Sequence, residues 1–365
     1  MFNKKSENGQ AIILIALALV VVLAFAAMAI DLGNVFTERR EAQNAADAAA
    51  LAGAQQIALE CAKATGANQA NVRPAMQEMV ELNAPGAEWV AYYLLEDGTV
   101  ANYMVGNDPN GLACGCPRRY VGVDVIVTGH TSGFLSGIIG QGALAAKAKA
   151  RARYGTVSAF NTGVYPITVR YQGALTYDQQ TELRDLGDDH AAGNFGWLTW
   201  PLANGGGAPQ LATSLTPPGD SWRYQNPGTP ESNWADANPN DHLMATGKWV
   251  RGETGNVNSN AVRNALKYLI DNNVTIIIPL YDTYEGTGNN TKFRIAAFGA
   301  FELECQHISS DNSAYGNCLY AANHDSNDKW LEGKFKGWVI PTGTWGSVAC
   351  GSDTGVWSVK LISVP

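Results

Sequence analysis

Residues 11–30 read AIILIALALVVVLAFAAMAI, a run of twenty positions without one polar side chain. A helix needs about 20 apolar residues to cross the roughly 30 Å hydrocarbon core of a bilayer. This stretch therefore predicts a helix that lies in a membrane or in the apolar core of a filament. The side chains that we expect to make those contacts are Ile12, Ile13, Leu14, Leu17, Val20, Val21, Leu23, Phe25, Met28 and Ile30.

The helical pattern continues beyond the apolar run. From Asp31 to Ala64 the chain holds strong helix formers and no proline, and only two glycines weaken the pattern. We expect one helix from about Gln10 to Ala64, on the order of 80 Å long at 1.5 Å per residue. Its second half is rich in alanine, whose small side chain lets another element approach closely. The alanines predicted to pack in this stem are Ala45, Ala49 and Ala52.

The charges beside the apolar run predict the orientation of the chain. Lys4 and Lys5 precede it, whereas Arg39 and Arg40 after it are balanced by acidic residues. Since positive charge beside a span favours the cytoplasmic side, we expect a single pass with the N-terminus in the cytoplasm and the bulk outside. A secretory signal, cleaved at a small-residue site within residues 24–29, is the alternative.

Composition divides the chain into differently built parts. The 365 residues have a net charge of −8, which argues against a nucleic-acid partner. Residues 1–155 hold 12 basic and 13 acidic side chains, whereas residues 156–365 hold 13 and 20, and nine of the ten tryptophans. We therefore predict four segments: a cytoplasmic N-terminus or leader (1–10), a transmembrane and stem helix (11–64), a small α+β head (65–155) and a β-rich outer domain (156–365).

The sequence of the predicted head shows several patterns that are typical of β-strands. Residues Glu88–Leu95 and Val100–Val105 flank an Asp-Gly turn and are typical of a hairpin. Tyr120–Thr128 alternates apolar with small or polar residues, as a half-buried strand does. Residues 146–153 alternate alanine with a cation, which as a strand places four cations on one face, expected to be solvated. Those cations are Lys147, Lys149, Arg151 and Arg153.

The N-terminal helical segment, residues 9–55, and the later stretch 121–152 resemble parts of a known family. The string GQA at Gly9, the apolar run, DLG at Asp31 and above all NAADAAALAGA from Asn44 to Ala54 are similar to the TadE/TadG-like proteins of the bacterial tight-adherence (Flp) pilus-assembly system. The resemblance implies a pilin-like α+β protein with a long helix, half in the membrane, packed on a small antiparallel sheet. It implies lipid, identical subunits and other pilus-assembly components as partners.

The resemblance also raises the question of leader cleavage. Cleavage between Gly9 and Gln10 would place Leu14 at the fifth position, where processed type IV pilins carry a glutamate. The apolar run contains no acid before Asp31. Without a buried acid, stacked subunits would associate through small-residue packing and apolar contact alone.

The second part is predicted to be β-rich with one clear helix. Ser259 offers a cap for an amphipathic helix that ends near Asp271. Strands are expected at residues 274–280, 293–305 and 356–364. The glycines at 205–207 lead into Ala-Pro and are predicted to form a loop.

Cysteine number favours disulfides, because six is even and the bulk of the chain is expected outside the cytoplasm. We expect one bond between Cys305 and Cys318. Cys114 and Cys116 are too close to bond each other in a regular turn, so each is expected to bond elsewhere, one of them to Cys61. The full set is Cys61, Cys114, Cys116, Cys305, Cys318 and Cys350.

The spacing of oxygen-bearing side chains after Trp234 offers a loose extracellular calcium site. An EF-hand is excluded by the residues at its sixth and twelfth positions, and the alternative is a loop of Asx turns. The candidate ligands are Asp236, Asn238, Asn240 and Asp241. No other cofactor is expected.

Two classes of function remain. No nucleophile, base and orienting group can be assembled from the scattered histidines, so we do not expect an enzyme. We predict a structural pilin-like or pilus-assembly protein of the bacterial cell membrane or of an extracellular filament. The alternative is a membrane-anchored adhesin or carbohydrate-binding module for surface glycans, for which Trp222, Trp234 and Trp249 are candidate stacking residues. For these three rings we favour a core or loop-anchoring role over a sugar platform.

Overall fold

The computed structural model describes most of the chain and leaves short gaps. The described residues are 8–63, 66–115, 119–134, 143–171, 175–183, 196–202, 207–253, 258–287, 290–308, 314–323, 329–340, 344–346 and 355–363. Their α-helices are α1 (Asn8–Cys61), α2 (Val72–Asn83), α3 (Gly207–Ser214) and α4 (Asn260–Asp271). Short 3-10 helices lie at Gln69–Asn71, Ser221–Arg223 and Ala321–Asn323.

Strands occupy much of the remaining chain. The first group is β1 (Glu88–Leu95), β2 (Val100–Met104), β3 (Tyr120–Thr131), β4 (Leu144–Phe160), β5 (Val169–Arg170), β6 (Gln180–Leu183), β7 (Leu198–Thr199) and β8 (Met244–Ala245). The second group is β9 (Trp249–Gly252), β10 (Thr275–Glu285), β11 (Lys292–His307), β12 (Tyr315–Gly316), β13 (Trp330–Lys336), β14 (Trp338–Val339), β15 (Thr344–Trp345) and β16 (Val356–Ile362).

Within the described residues the strands form two sheets. The first has the order β14-β16-β4-β3-β1-β2, with β8 and β15 also pairing with β4. The second has the order β5-β10-β11-β13-β6; β9 and β12 also pair with β11, and β7 pairs with β9. The strand pairs in the described part of the chain are antiparallel, except β14 with β16 and β5 with β10. The prediction of an α+β fold, with a long N-terminal helix followed by a β-rich part, is confirmed.

Three apolar cores hold these elements together. In the first, α1 and α2 cover one face of the first sheet. In the second, α3 and α4 cover one face of the second sheet. The third joins the two sheets: Phe160 at the end of β4 packs edge-on against Phe298 of β11, with 4.7 Å between ring centroids. The second sheet with its helices α3 and α4, called the outer part below, is therefore fixed to the head by packing as well as by chain connection.

The boundary that composition placed at residue 155 falls inside strand β4, which runs from Leu144 to Phe160. The C-terminal strand β16 also returns to the head, where Val359 pairs with Tyr154 and Ile362 with Arg151. Residues 156–365 thus form the whole of the second sheet and also supply the end of β4 and strands β8, β14, β15 and β16 of the first sheet.

Of the glycines predicted to form a loop, Gly205 and Gly206 lie outside the described residues, whereas Gly207 is helical. Helix α3 begins at Gly207 and contains Pro209 in its first turn. Proline is tolerated there because the first backbone N–H groups of a helix have no intrahelical acceptor. By contrast, α4 is as predicted: the Ser259 side chain accepts a hydrogen bond from the Val262 N–H at its N-terminus.

Candidate functional site: the projecting helix

The first half of α1 projects from the folded body with its apolar side chains exposed. From Ile12 to Ile30 the helix rises about 28 Å, close to the thickness of a bilayer core. Within the described residues it is the helix long and apolar enough to cross a membrane. The side chains predicted for membrane or filament contact are between 49% and 69% exposed: Ile12, Ile13, Leu14, Leu17, Val20, Val21, Leu23, Phe25, Met28 and Ile30.

The second half of the same helix is a packing stem. Ala45 and Ala49 are fully buried, whereas Ala52 is only partly covered at the edge of the packed face. The buried positions recur with the spacing of one helix face. They are Ala42, Ala45, Ala46, Ala49, Ala50, Ala54, Ile57 and Ala58.

Gly53 permits the closest approach on this face. A Cβ atom there would lie 2.8 Å from the Met76 Sδ of α2 and 3.0 Å from the Val123 Cγ2 of β3. Both distances are shorter than normal van der Waals contact, so α2 and β3 pack directly on the backbone of the stem. The small side chains of the stem thus set the spacing between the helix and the sheet.

The two halves of α1 meet at Asp31, the first acid after the apolar run. Asp31 is 8% exposed, and its carboxylate accepts a hydrogen bond from the backbone N–H of Phe134, three residues beyond the end of β3. The contact joins positions 103 residues apart in the chain, so no local pattern could predict it.

The inner end of the stem is fixed by a buried carboxylate. Glu60 accepts hydrogen bonds from Lys63 Nζ at 2.5 Å, the Asn68 N–H at 3.0 Å, Asn71 Nδ2 at 2.8 Å and Gln56 Nε2 at 3.0 Å. Burial by itself raises the pKa of Glu60, but these hydrogen bonds outweigh it and leave the pKa below its ordinary value. The sequence gives no clear signal for this role of Glu60, because three of its four donors lie beyond the helix.

The comparisons with known proteins concern this helix. Residues 9–56 match the family model described as putative Flp pilus-assembly TadE/G-like. The predicted family resemblance is confirmed. The matched TadE/G-like segment lies wholly within α1 and includes Gly9 and Gln10, the residues of the leader-cleavage hypothesis, in the first turn. No curated protein and no solved structure matches the chain.

Beyond the TadE/G-like segment, three of the four cations of β4 that were predicted to be solvated make contacts within the protein. Asp124, on the neighbouring strand β3 and 3% exposed, lies 2.8 Å from Arg151 Nε and 3.1 Å from Lys149 Nζ. Arg153 donates to the backbone carbonyl of Glu96 at 2.7 Å. The alternation itself is as predicted, since the alanines at 146, 148, 150 and 152 are buried.

The described part of the chain contains two disulfides. Cys61, at the end of the stem, bonds Cys114, and Cys305 of β11 bonds Cys318. Cys116 and Cys350 lie outside the described residues. Among the described residues, Cys305 and Cys318 form with Glu332 the one group whose spacing suits a metal. Since the two sulfurs bond each other, they are not available as thiolate ligands.

Glu332 instead acts as a buried hydrogen-bond acceptor in the outer part, as Glu60 does at the end of the stem. Its carboxylate is fully buried and accepts hydrogen bonds from the Leu319 N–H at 2.8 Å, Trp330 Nε1 at 2.9 Å and Gln180 Nε2 at 2.9 Å. These contacts tie β6, β13 and the segment after Cys318 together. The sequence shows no signal for this role, because Gln180 and Leu319 come from other segments of the chain.

Side-chain oxygens of three of the four candidate calcium ligands already contact other groups of the protein. Asp236 accepts from the Thr229 N–H at 2.7 Å, and Asn238 accepts from the Asn240 N–H at 3.0 Å. Asp241 lies 2.6 Å from Lys248 Nζ. These contacts favour the alternative of an Asx-turn loop, and calcium binding at Asp236, Asn238, Asn240 and Asp241 stays a prediction.

The three tryptophans proposed as a sugar platform differ in exposure, and one of them is buried. Trp249 is 5% exposed and meets Trp234 edge-on, with 5.3 Å between ring centroids. Lys292 Nζ lies over the Trp234 ring, 3.4 Å from its centroid. Trp222 is 61% exposed. Two of the three rings therefore pack within the fold.

Proposed function

We propose that this chain is a single-pass, membrane-anchored pilus-assembly protein with a structural role and no catalytic activity. The observation that carries the proposal is the division of α1: an apolar half that projects uncovered, continuous with a half that is buried in the head. The TadE/G-like match of residues 9–56 supports the pilus system as the setting. Lipid, identical subunits and other pilus-assembly components are the proposed partners.

The proposed orientation places the N-terminus in the cytoplasm and the head and outer part outside the bacterial cell. Lys4 and Lys5 before the span support it, as do the two disulfides, which are typical of proteins outside the reducing cytoplasm. Protease added to intact spheroplasts should degrade the head. Protection of the head until the membrane is lysed would contradict the orientation.

The anchor is tested by alkaline carbonate extraction of membranes. We expect the full chain to remain in the pellet and the Leu17→Arg/Val21→Arg variant to be released, because charge at the centre of a span opposes insertion. Asn34→Arg/Thr37→Arg is the matched control, since both residues are exposed on the same helix beyond the apolar run. Release of the wild-type chain by carbonate would exclude the anchor.

Anchor and filament forms are separated by the mature N-terminus and by shearing. A start at Gln10 together with recovery in sheared extracellular filaments supports a processed, polymerised subunit. A start at Met1 together with strict membrane retention supports an unprocessed anchor and excludes the filament. A start near Ile30 supports the secreted alternative and excludes the anchor.

A groove between α3 and α4 favours binding of a neutral glycan as a second candidate function. Its volume is about 670 Å³, within the usual range of small-molecule sites. None of the described lining residues is charged, and the ring of Tyr268 is 52% exposed for stacking on a sugar. The lining residues are Pro209, Ala212, Thr213, Thr216, Pro217, Ala261, Asn264, Ala265 and Tyr268.

Detergent-solubilised full chain on an array of neutral glycans tests this second function. We expect binding that Tyr268→Ala abolishes and that Tyr103→Ala, on β2 of the head, leaves unchanged. Absence of binding by the wild type, or equal loss in both variants, would exclude the groove as a glycan site.

A further inference from the structure

The hydrogen bond between Phe134 and Asp31 places a second segment of the chain at the end of the apolar run. Asp31 directly follows residues 11–30, so in a spanning helix it lies where the chain leaves the hydrocarbon. The Phe134 N–H donates to its carboxylate, and Phe134 therefore lies at the same level. This conclusion rests on the proposed function, because it takes residues 11–30 as the span.

The face of α1 that carries Asp31 is covered further into the apolar run. Ala27, one helical turn before Asp31 on the same face, is 6% exposed, whereas Met28 and Ile30 are 49% and 57% exposed. The head therefore meets the helix at the level of Asp31, and this face of the helix is covered one turn below it.

Several apolar side chains close to this contact are exposed. Phe134 is 65% exposed, and Leu32 and Phe36 on the helix are 50% and 60% exposed. All three lie within about two helical turns of the end of the span. Water is an unfavourable neighbour for such a group of side chains, whereas the interfacial region of a bilayer accommodates them.

We propose that Phe134 is a second membrane contact, whose ring inserts into the interfacial region of the lipid bilayer beside the exit of α1. The hydrogen bond from its backbone satisfies Asp31, which removes part of the cost of placing a carboxylate near hydrocarbon. With the helix and Phe134 both in contact with lipid, the head has two points of attachment. The head is then held in one orientation relative to the membrane, and rotation about the helix axis is opposed.

Fluorescence quenching by lipid tests the proposal on the full chain. The Phe134→Trp variant is reconstituted in phosphatidylcholine vesicles, and its emission is compared with that of the wild type in vesicles whose acyl chains carry bromine near the headgroup. We expect brominated lipid to quench the additional emission of Phe134→Trp. Leu319→Trp is the control, because Leu319 is 63% exposed in the outer part, and its additional emission should not be quenched.

Thermal unfolding of both variants shows that each is folded, and carbonate extraction shows that each is inserted. If both are folded and inserted but brominated lipid leaves the emission of residue 134 unchanged, Phe134 does not contact lipid and only the anchor stands. Equal quenching in both variants also overturns the proposal, since it reports non-specific adsorption to vesicles. Release by carbonate overturns the anchor and this inference together.

Discussion

Glu60 shows how a single residue can hold the end of the stem to the head. Replacing its carboxylate by an amide in Glu60→Gln turns an acceptor toward Lys63 and Asn71 into a donor. Because a buried hydrogen bond to a charged group contributes roughly 1.5–3 kcal/mol, we expect a loss of about 2 kcal/mol in the free energy of unfolding. Chemical denaturation measures it, and Glu41→Gln, exposed on the same helix, is the matched control. Equal stability of the two variants would contradict this role.

The same carboxylate predicts a dependence of stability on pH. Its pKa in the folded protein is below its ordinary value, so its contribution is fully present above the pKa of the unfolded chain and is lost as pH falls through the folded pKa. The difference in melting temperature between wild type and Glu60→Gln should be constant from pH 7 to about pH 5 and should shrink below about pH 4. A difference in melting temperature that grows on acidification would contradict a lowered pKa of Glu60 in the folded protein.

The alanines of the stem predict a contrast between neighbouring positions. Ala49 is fully buried against the sheet, and Ala52 is partly open at the edge of the same face. Ala49→Leu should destabilise the protein by about 1–3 kcal/mol, because a well-packed core does not accept added methylenes without strain. Ala52→Leu should change the stability by less. Denaturant unfolding of the two variants checks this order, and the reverse order would contradict the packing.

At the scale of elements, the two disulfides close loops of different length. Cys61 and Cys114 are 53 residues apart, and Cys305 and Cys318 are 13 apart. If a crosslink acts mainly by restricting the unfolded chain, removing the first costs about 4 kcal/mol and removing the second about 3 kcal/mol. Cys61→Ala/Cys114→Ala should therefore melt lower than Cys305→Ala/Cys318→Ala. Calorimetry of both double variants gives the order of their melting temperatures. The opposite order would show that local strain or residual structure in the unfolded chain, and not loop length, determines how much each disulfide stabilises the protein.

Elements with a strong local pattern could be predicted from the sequence. The apolar run, the alternation of β1 and the Ser259 cap of α4 each depend on neighbouring residues, and the structure places them close to the predicted bounds. Composition could not predict that strands of the head come from both ends of the chain. Net charge averages over a segment and carries no information about which strands pair with each other. Strand β16 joins β4 across about 200 residues, and only the register of their hydrogen bonds reveals it.

At the scale of the whole molecule, Trp357 shows how the outer part is tied to the head. Trp357 is fully buried on β16 and meets Tyr154 of β4 edge-on, with 6.2 Å between ring centroids. Tyr177, which leads into the second sheet, lies 6.4 Å from the same ring. One side chain thus contacts both parts, so the head and the outer part are expected to unfold together and not as independent domains.

This coupling predicts which fragments fold. A chain of residues 37–365 loses the exposed apolar half of α1 but retains the stem, both sheets and all three cores, so it should be soluble without detergent and unfold in one transition. Residues 156–365 alone lack most of β4, which leaves β16 without its antiparallel partner strand and Trp357 without Tyr154. An unpaired apolar strand edge favours aggregation. Size-exclusion chromatography and thermal unfolding of both fragments check this, and a monomeric, cooperatively folded 156–365 fragment would show that the outer part is an autonomous domain after all.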